Sequence, residues 1–263
     1  MKKRANWECA IKRFLCAFGY LIFGIVLTMQ FDCYQMIKPE FGQHALIYKL
    51  GFLLGSLHGI LWCYISFLVI GESNMLAAGF GYRVDANGVE SYDNFVSMNV
   101  KNFALARDVS DFTTNWNVQV HYWLKYYVML RVMDRSQKRG VYQGKAAFWT
   151  FFTSALWHGT YPGLFIFFLS CAGSEQICRN FAKVTIISKL RRTVIPYSFE
   201  QVFLWFWAFL TNGFFALGFF YFTLDPYLKF VRNFDYIPFF VWLAALVFAM
   251  LMPKEKRNKE KSN

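Results

Sequence analysis

The chain has 263 residues, of which 56% are hydrophobic, 21% aromatic and 17% charged, and its net charge is +12. Charge is scarcer than the roughly 25% of an ordinary soluble domain, and a soluble fold would have nowhere to hide so much apolar surface. That excludes a soluble enzyme. No basic soluble module stands apart from the apolar runs, which excludes a nucleic-acid-binding protein. The basic residues lie between and beyond those runs, where they orient spans and attract anionic headgroups.

After a basic start, residues 14–31 run without a charge and read as a first span, since about 20 apolar residues cross a bilayer. The run is too long for a signal peptide core, and no small-residue cleavage site follows it. Residues 51–71 form a second span that contains His58 and is ended by Glu72. Residues 75–82 are short, Gly-rich and apolar, better suited to a buried or interfacial position than to spanning. Residues 83–145 are the longest polar region; Asp85-Ala-Asn-Gly88 is a turn signal within it. The aromatics at 116, 122, 123, 126 and 127 make 116–131 an amphipathic or re-entrant segment. Residues 146–170 read as the third span and 202–224 as the fourth, broken by Asp225-Pro226; 237–252 is the fifth. A basic tail, 253–263, follows.

The fold class expected is therefore all-α: a polytopic transmembrane helical bundle in one membrane domain, 1–252, with the tail in the cytosol. The basic 179–192 link and the tail place both on the cytosolic side, as does the basic N-terminus. Counting spans then leaves one crossing missing between 72 and 145, and either 75–82 or 116–131 supplies it. Irregular backbone at membrane depth must line a protein-enclosed cavity, so a chamber is expected near these residues.

The six cysteines show no ligand spacing and no disulfide framework, and no metal site is expected. Among four histidines, His158 lies midway through an expected span, in Ser154-Ala-Leu-Trp-His-Gly-Thr-Tyr-Pro-Gly163. Polar groups in spans are expensive and often functional, and Pro162 with its flanking glycines implies a kinked helix with close backbone approach. Position alone leaves two readings open for His158: a reactive base, or a structural bond to a neighbouring helix. His58 is expected to make a structural hydrogen bond, His121 to face the interface, and His44 to sit at the membrane edge. Asn117 either orients a substrate or an imidazole, or simply forms a cap or turn.

The segment Asn115-Trp-Asn-Val-Gln-Val-His-Tyr-Trp-Leu-Lys-Tyr126, followed by Thr153-Ser-Ala-Leu-Trp-His-Gly-Thr-Tyr-Pro-Gly163, resembles the membrane-bound O-acyltransferase family. Trp157 to Gly163 is similar to its lysophospholipid acyltransferase branch, and Gly79-Phe-Gly-Tyr82, Asp85-Ala-Asn-Gly88 and Tyr92-Asp93 fit that branch. The resemblance implies a multi-pass enzyme of the endoplasmic reticulum membrane with a tunnel through its bundle, corresponding here to the C-terminal part of the family's fold. It implies acyl-CoA as co-substrate, a lysophospholipid as acceptor, membrane lipids around it, and no cofactor. His158 would be the general base, and Asn117 would orient the reacting groups. Trp116, Trp157 and Pro162 would shape the chamber, with Trp123, Ser154, Gly159 and Gly163 in the substrate-binding wall. Lys259-Glu-Lys261-Ser-Asn263 looks like a retrieval signal read by coat protein at Lys259 and Lys261. Family members are usually nearly twice as long, so a truncated, non-catalytic lipid-binding protein is the alternative from another class. A relative that acylates a protein or sterol is the alternative enzyme.

Overall fold

The computed structural model describes residues 6–106, 109–133, 139–181 and 197–252. The basic tail with Lys259 and Lys261, and most of the basic link over 179–192, lie outside the described residues. What is described is an all-α bundle with one small hairpin. Its helices are α1 (Trp7–Gln30), α2 (Leu46–Ala77), α3 (Val100–Ala104), α4 (Val109–Asn115), α5 (Val118–Leu124), α6 (Leu130–Val132), α7 (Arg139–His158), α8 (Pro162–Phe181), α9 (Tyr197–Tyr221), α10 (Leu224–Asn233) and α11 (Ile237–Leu251). Strands β1 (Arg83–Val84) and β2 (Glu90–Ser91) pair antiparallel, with Arg83 opposite Ser91.

Helices α1 and α2 form an antiparallel pair whose backbones nearly touch. A Cβ on Gly24 would lie 2.7 Å from the Cys63 backbone N, and one on Gly59 would lie 2.8 Å from the Thr28 backbone N. Lipid offers helices no hydrophobic drive to associate, so close contact through small residues is what holds such a pair. Gly24→Val is expected to separate α1 from α2 and to cost about 1–3 kcal/mol; thermal unfolding in detergent checks it, and an unchanged midpoint would refute the crossing.

Two short 3₁₀ turns, Cys33–Ile37 and Pro39–Gln43, join α1 to α2 and fold under α10. Asn233 Nδ2 donates to the carbonyls of Met36 at 2.9 Å and Lys38 at 2.8 Å. The Tyr221 hydroxyl donates to the Cys33 carbonyl at 2.6 Å. Met36, Leu53, Leu57, Phe214, Phe230 and Phe234 are buried together there, the main apolar core.

Three helical stretches among the described residues are long and apolar enough to cross a membrane: Trp7–Ile37, Leu46–Ala77 and Leu204–Tyr221. Helices α10 and α11, bent by 89°, make a fourth if taken as one passage. Several expected boundaries are corrected. The passage expected over 146–170 is two helices, because Gly159 takes φ 134° and Pro162 begins α8 rather than kinking a continuous helix. The passage expected over 237–252 rests on a helix of 15 residues, about 22 Å at 1.5 Å per residue, shorter than the hydrocarbon core of about 30 Å. Asp225-Pro226 does not end the preceding helix. α9 stops at Tyr221, where Phe222 is left-handed at φ 58°, and Pro226 sits in the first turn of α10, where a missing N–H costs nothing. Glu72 does not end α2, which runs on to Ala77.

The polar region is short helices and turns. Residues 75–82 are the last turn of α2 and the bend after it, not a separate dip. Asp85 makes the tip of the hairpin: its carboxylate accepts from the N–H groups of Asn87 at 2.9 Å and Val89 at 2.8 Å. Arg83 clamps the hairpin base by two bonds to Asp93, at 2.7 and 2.9 Å. The Ser91 hydroxyl and that guanidinium hold the exposed Asp93 carboxyl below its usual range. The segment at 116–131 is α5, a π-helical turn over Lys125–Met129, and α6.

Candidate active site

The site is built where α7 ends. The N–H of Gly159 donates to the carbonyls of Ala155 at 3.1 Å and Leu156 at 3.2 Å, closing the helix, and the positive φ of Gly159 turns the chain away. Pro162 restarts it as α8, its fixed φ suited to a first helical position. His158 is therefore the last residue of α7, at the tip between two helices, and is exposed. The expectation of a histidine midway along a span is corrected: the Gly and Pro that flank it divide the segment.

Aromatic rings hold the imidazole. Phe168 of α8 stacks on it at 5.1 Å and 18°, and Phe219 of α9 meets it edge-on at 5.2 Å. Trp157 is its stacked chain neighbour at 6.2 Å. Such rings fix a plane without consuming either ring nitrogen.

Asn117 lies in a left-handed conformation, φ 42° and ψ 59°, at the start of α5. Asn tolerates that region better than most residues. Its carbonyl accepts from His121 N–H at 3.0 Å, but its side chain caps no helix, so the turn expected of it is present and the cap is not. The amide is left available to a ligand.

Two ring bridges join the Asn117 segment to His158. Trp123 meets Trp157 at 5.6 Å. On the other side Trp116 meets Tyr64 at 6.3 Å, Tyr64 meets Phe219 at 6.2 Å, and Phe219 meets His158. Tryptophans on either side of Asn117 are thus linked through rings of α2, α5, α7 and α9 to His158, 41 positions further along the chain.

The remaining expected residues divide. Trp116, Trp123 and Trp157 belong to the frame, and the last two are exposed. Gly159 supplies the turn, and Pro162 is exposed at the start of α8. Ser154, one turn before His158, is buried in packing. Gly163 does not line a substrate wall. Its N–H donates to the Phe222 carbonyl at 2.8 Å, and an added Cβ would lie 2.1 Å from the Gly218 carbonyl oxygen. It is a helix-crossing residue.

Two of the other histidines, His58 and His44, make local contacts. His58 Nδ1 lies 2.8 Å from the Leu54 carbonyl, and its ring stacks on Phe209 at 4.8 Å. His44 packs on Tyr48 at 4.4 Å. A cleft of about 740 Å³ lies beside Asn115, walled by Asn102, Leu105, Asp111, Val202 and Trp205; His158 is not in its wall. No group of three His, Cys, Asp or Glu side chains able to hold a metal ion occurs among the described residues.

One residue that the sequence reading passed over is Glu72. It is only 1% exposed and reaches both α1 and the segment beside Asn117. The only signal in the sequence is faint: apolar Leu68, Val69, Met75 and Leu76 at helical spacing on both sides of it, masked by its place at the end of a charge-free run.

Residues 2–223 match the MBOAT, membrane-bound O-acyltransferase, family. This covers most of the chain, and the protein belongs to that family. It is a multi-pass membrane protein. It is 27% identical over 185 residues to lysophospholipid acyltransferase 1 of Arabidopsis thaliana, covering 68% of this chain and 39% of the relative. Lysophospholipid acyltransferase 2 of the same plant is 25% identical over 95% of this chain and 52% of its own length. The lysophospholipid acyltransferase of Saccharomyces cerevisiae is 31% identical over 68% of this chain and 30% of its own. The chain thus aligns with roughly a third to a half of these relatives.

Proposed function

We propose that the protein transfers an acyl chain from acyl-CoA to the free glycerol hydroxyl of a lysophospholipid. The observation that supports this reading is the pair of ring bridges that run from Trp116 and Trp123, on either side of Asn117, to His158 and its neighbour Trp157. His158 takes the proton of the hydroxyl as the new C–O bond forms at the thioester carbonyl. The Asn117 amide donates to the carbonyl oxygen as it gains charge. The C–S bond then breaks, and the imidazolium returns its proton to the departing CoA sulfur. No cofactor takes part, and the surrounding wall is apolar, as an acyl chain requires. We place the protein in the endoplasmic reticulum membrane with a cytosolic C-terminus, returned there by coat protein acting on Lys259 and Lys261.

The test is an assay on membranes that express the full chain, with labelled acyl-CoA and a panel of lysophospholipids. Label should appear in a diacyl phospholipid for at least one headgroup. Exposure of Trp157 and His158 favours a second reading, a lipid-binding chain without catalysis. Lysolipid retained by the purified protein, with no label transferred from acyl-CoA, would establish that reading instead. Label appearing in protein or sterol would move the acceptor elsewhere.

A further inference from the structure

Asn117 turns against a segment that a buried carboxylate of α2 holds by a hydrogen bond. Three hydrogen bonds bracket its left-handed turn, all to residues 96–99. Asn99 N–H donates to the Asn115 carbonyl at 3.1 Å, and Val118 N–H donates to the Ser97 carbonyl at 2.8 Å. The Gln119 side-chain amide donates to the Val96 carbonyl at 3.1 Å. The position of the Asn117 amide is therefore the position of the 96–99 segment.

That segment is seated in two ways. The Met98 side chain is buried with Ala17, Ile65, Val69 and Phe103, an apolar contact that resists lifting but permits sliding. The directional contact is Glu72. Its Oε2 accepts from Ser97 N–H at 3.0 Å, and its Oε1 pairs with Arg13 Nε at 3.1 Å. Each oxygen of a carboxylate 1% exposed is thus engaged, one on α1 and one on the backbone beside Asn117. A charge this deep is expensive unless fully partnered. A hydrogen bond is directional, so the bond to Ser97 N–H fixes register as well as distance.

We propose that Glu72 is a positioning residue for acyl transfer: through Ser97 and Val118 it fixes where Asn117 presents its amide to the reacting carbonyl. This rests on the role given to Asn117 under Proposed function. The Arg13–Glu72–Ser97 line makes the α1–α2 pair the reference against which the site is aligned.

The test uses the full chain in lipid nanodiscs, with Glu72→Ala, Glu72→Gln, Asn117→Ala and the Glu72→Ala/Asn117→Ala double variant. Two quantities are read: acyl-transfer kinetics and backbone amide hydrogen exchange. Glu72→Ala should lower kcat by about 100-fold with little change in KM, the scale of a small misplacement of a reacting group. It should speed exchange at residues 96–99 and 115–119 by about tenfold or more, and leave α7 and α8 unchanged. Glu72→Gln keeps an oxygen for Ser97 N–H and should restore most of both. Glu72→Ala should add nothing in the Asn117→Ala background, because the two act as one unit. Unchanged exchange over 96–119 in Glu72→Ala, acceleration spread evenly over all helices, or independent losses in the double variant would each overturn the proposal. Full activity in Asn117→Ala defeats the role given to Asn117, and with it positioning for catalysis. The exchange pattern then still decides whether Glu72 anchors the turn.

Discussion

Replacing His158 with Ala is expected to lower acyl transfer by about 10²–10⁴-fold while leaving the chain folded and in the membrane. The activity loss follows from the role proposed for the imidazole: without it no positioned base takes the proton of the acceptor hydroxyl. The retained fold follows from the packing. His158 is exposed at the end of α7, and its contacts among the described residues are ring contacts to Trp157, Phe168 and Phe219. Each such contact is worth about 0.5–1.5 kcal/mol, too little to unseat a helix. The measurement pairs the transfer assay with a membrane fraction and a thermal unfolding curve. Activity within a few-fold of the parent, at equal protein, would remove His158 from the mechanism. A collapsed melting curve would mean the residue holds the fold instead.

The second large effect is expected at Gly163, a position with no chemistry of its own. In Gly163→Ala the new methyl would lie 2.1 Å from the Gly218 carbonyl oxygen and 2.8 Å from that of Phe222. Both are backbone atoms of α9 and its end, so no side chain can swing aside. Gly218 faces Gly163 in return, where an added Cβ would lie 2.7 Å from the Gly163 carbonyl oxygen. Helix α8 must move off α9, losing the bond from Gly163 N–H to the Phe222 carbonyl. A cost of about 1–3 kcal/mol is expected, read as a lowered midpoint in detergent. Activity should fall further than stability alone requires. The imidazole sits between Phe168 on α8 and Phe219 on α9, so parting the two helices removes one face of its slot. A misplacement of about 1 Å costs on the order of 100-fold in rate. A variant that melts and turns over like the parent would show that the crossing is not tight.

What the sequence made legible was apolar length and motif. The charge-free runs at 14–31 and 51–71 coincide with most of α1 and lie within α2, because a helix in lipid must satisfy its own backbone, and composition records that directly. The run at 146–170 misled for the same reason. Hydropathy reports how apolar a stretch is and not whether it bends, and that bend depends on the φ angle at Gly159. The run at 237–252 coincides with α11, but the sharp turn before it rests on left-handed Asp235 and Tyr236, and Tyr236 carries no sequence sign of such a residue. In the candidate site, His158, Asn117 and the three tryptophans were visible as types in a pattern, and the ring contacts that link the tryptophans to the His158 region were not. Gly163 was visible but given the wrong role, since a motif glycine looks the same whether it faces a ligand or another helix. Glu72 was hidden because an acid after an apolar run reads as the run's end. Its partners Arg13 and Ser97 are distant in sequence, and only packing brings them to it.

The π-helical turn over Lys125–Met129 carries its own consequence. A π turn holds one residue more than an α turn, and such single turns within helices are often found at functional sites. Each residue of an α-helix turns the chain by about 100°, and each residue of a π turn by less, so the same five residues wound as α would carry everything after them further round. Arg131 and Leu130 would then face another side of the helix, while Trp123, upstream, would stay against Trp157. The extra residue thus works as a phase setting. It lets the aromatic stripe that meets Trp157 and the basic end of the segment point in directions that a single uninterrupted helix could not give them together.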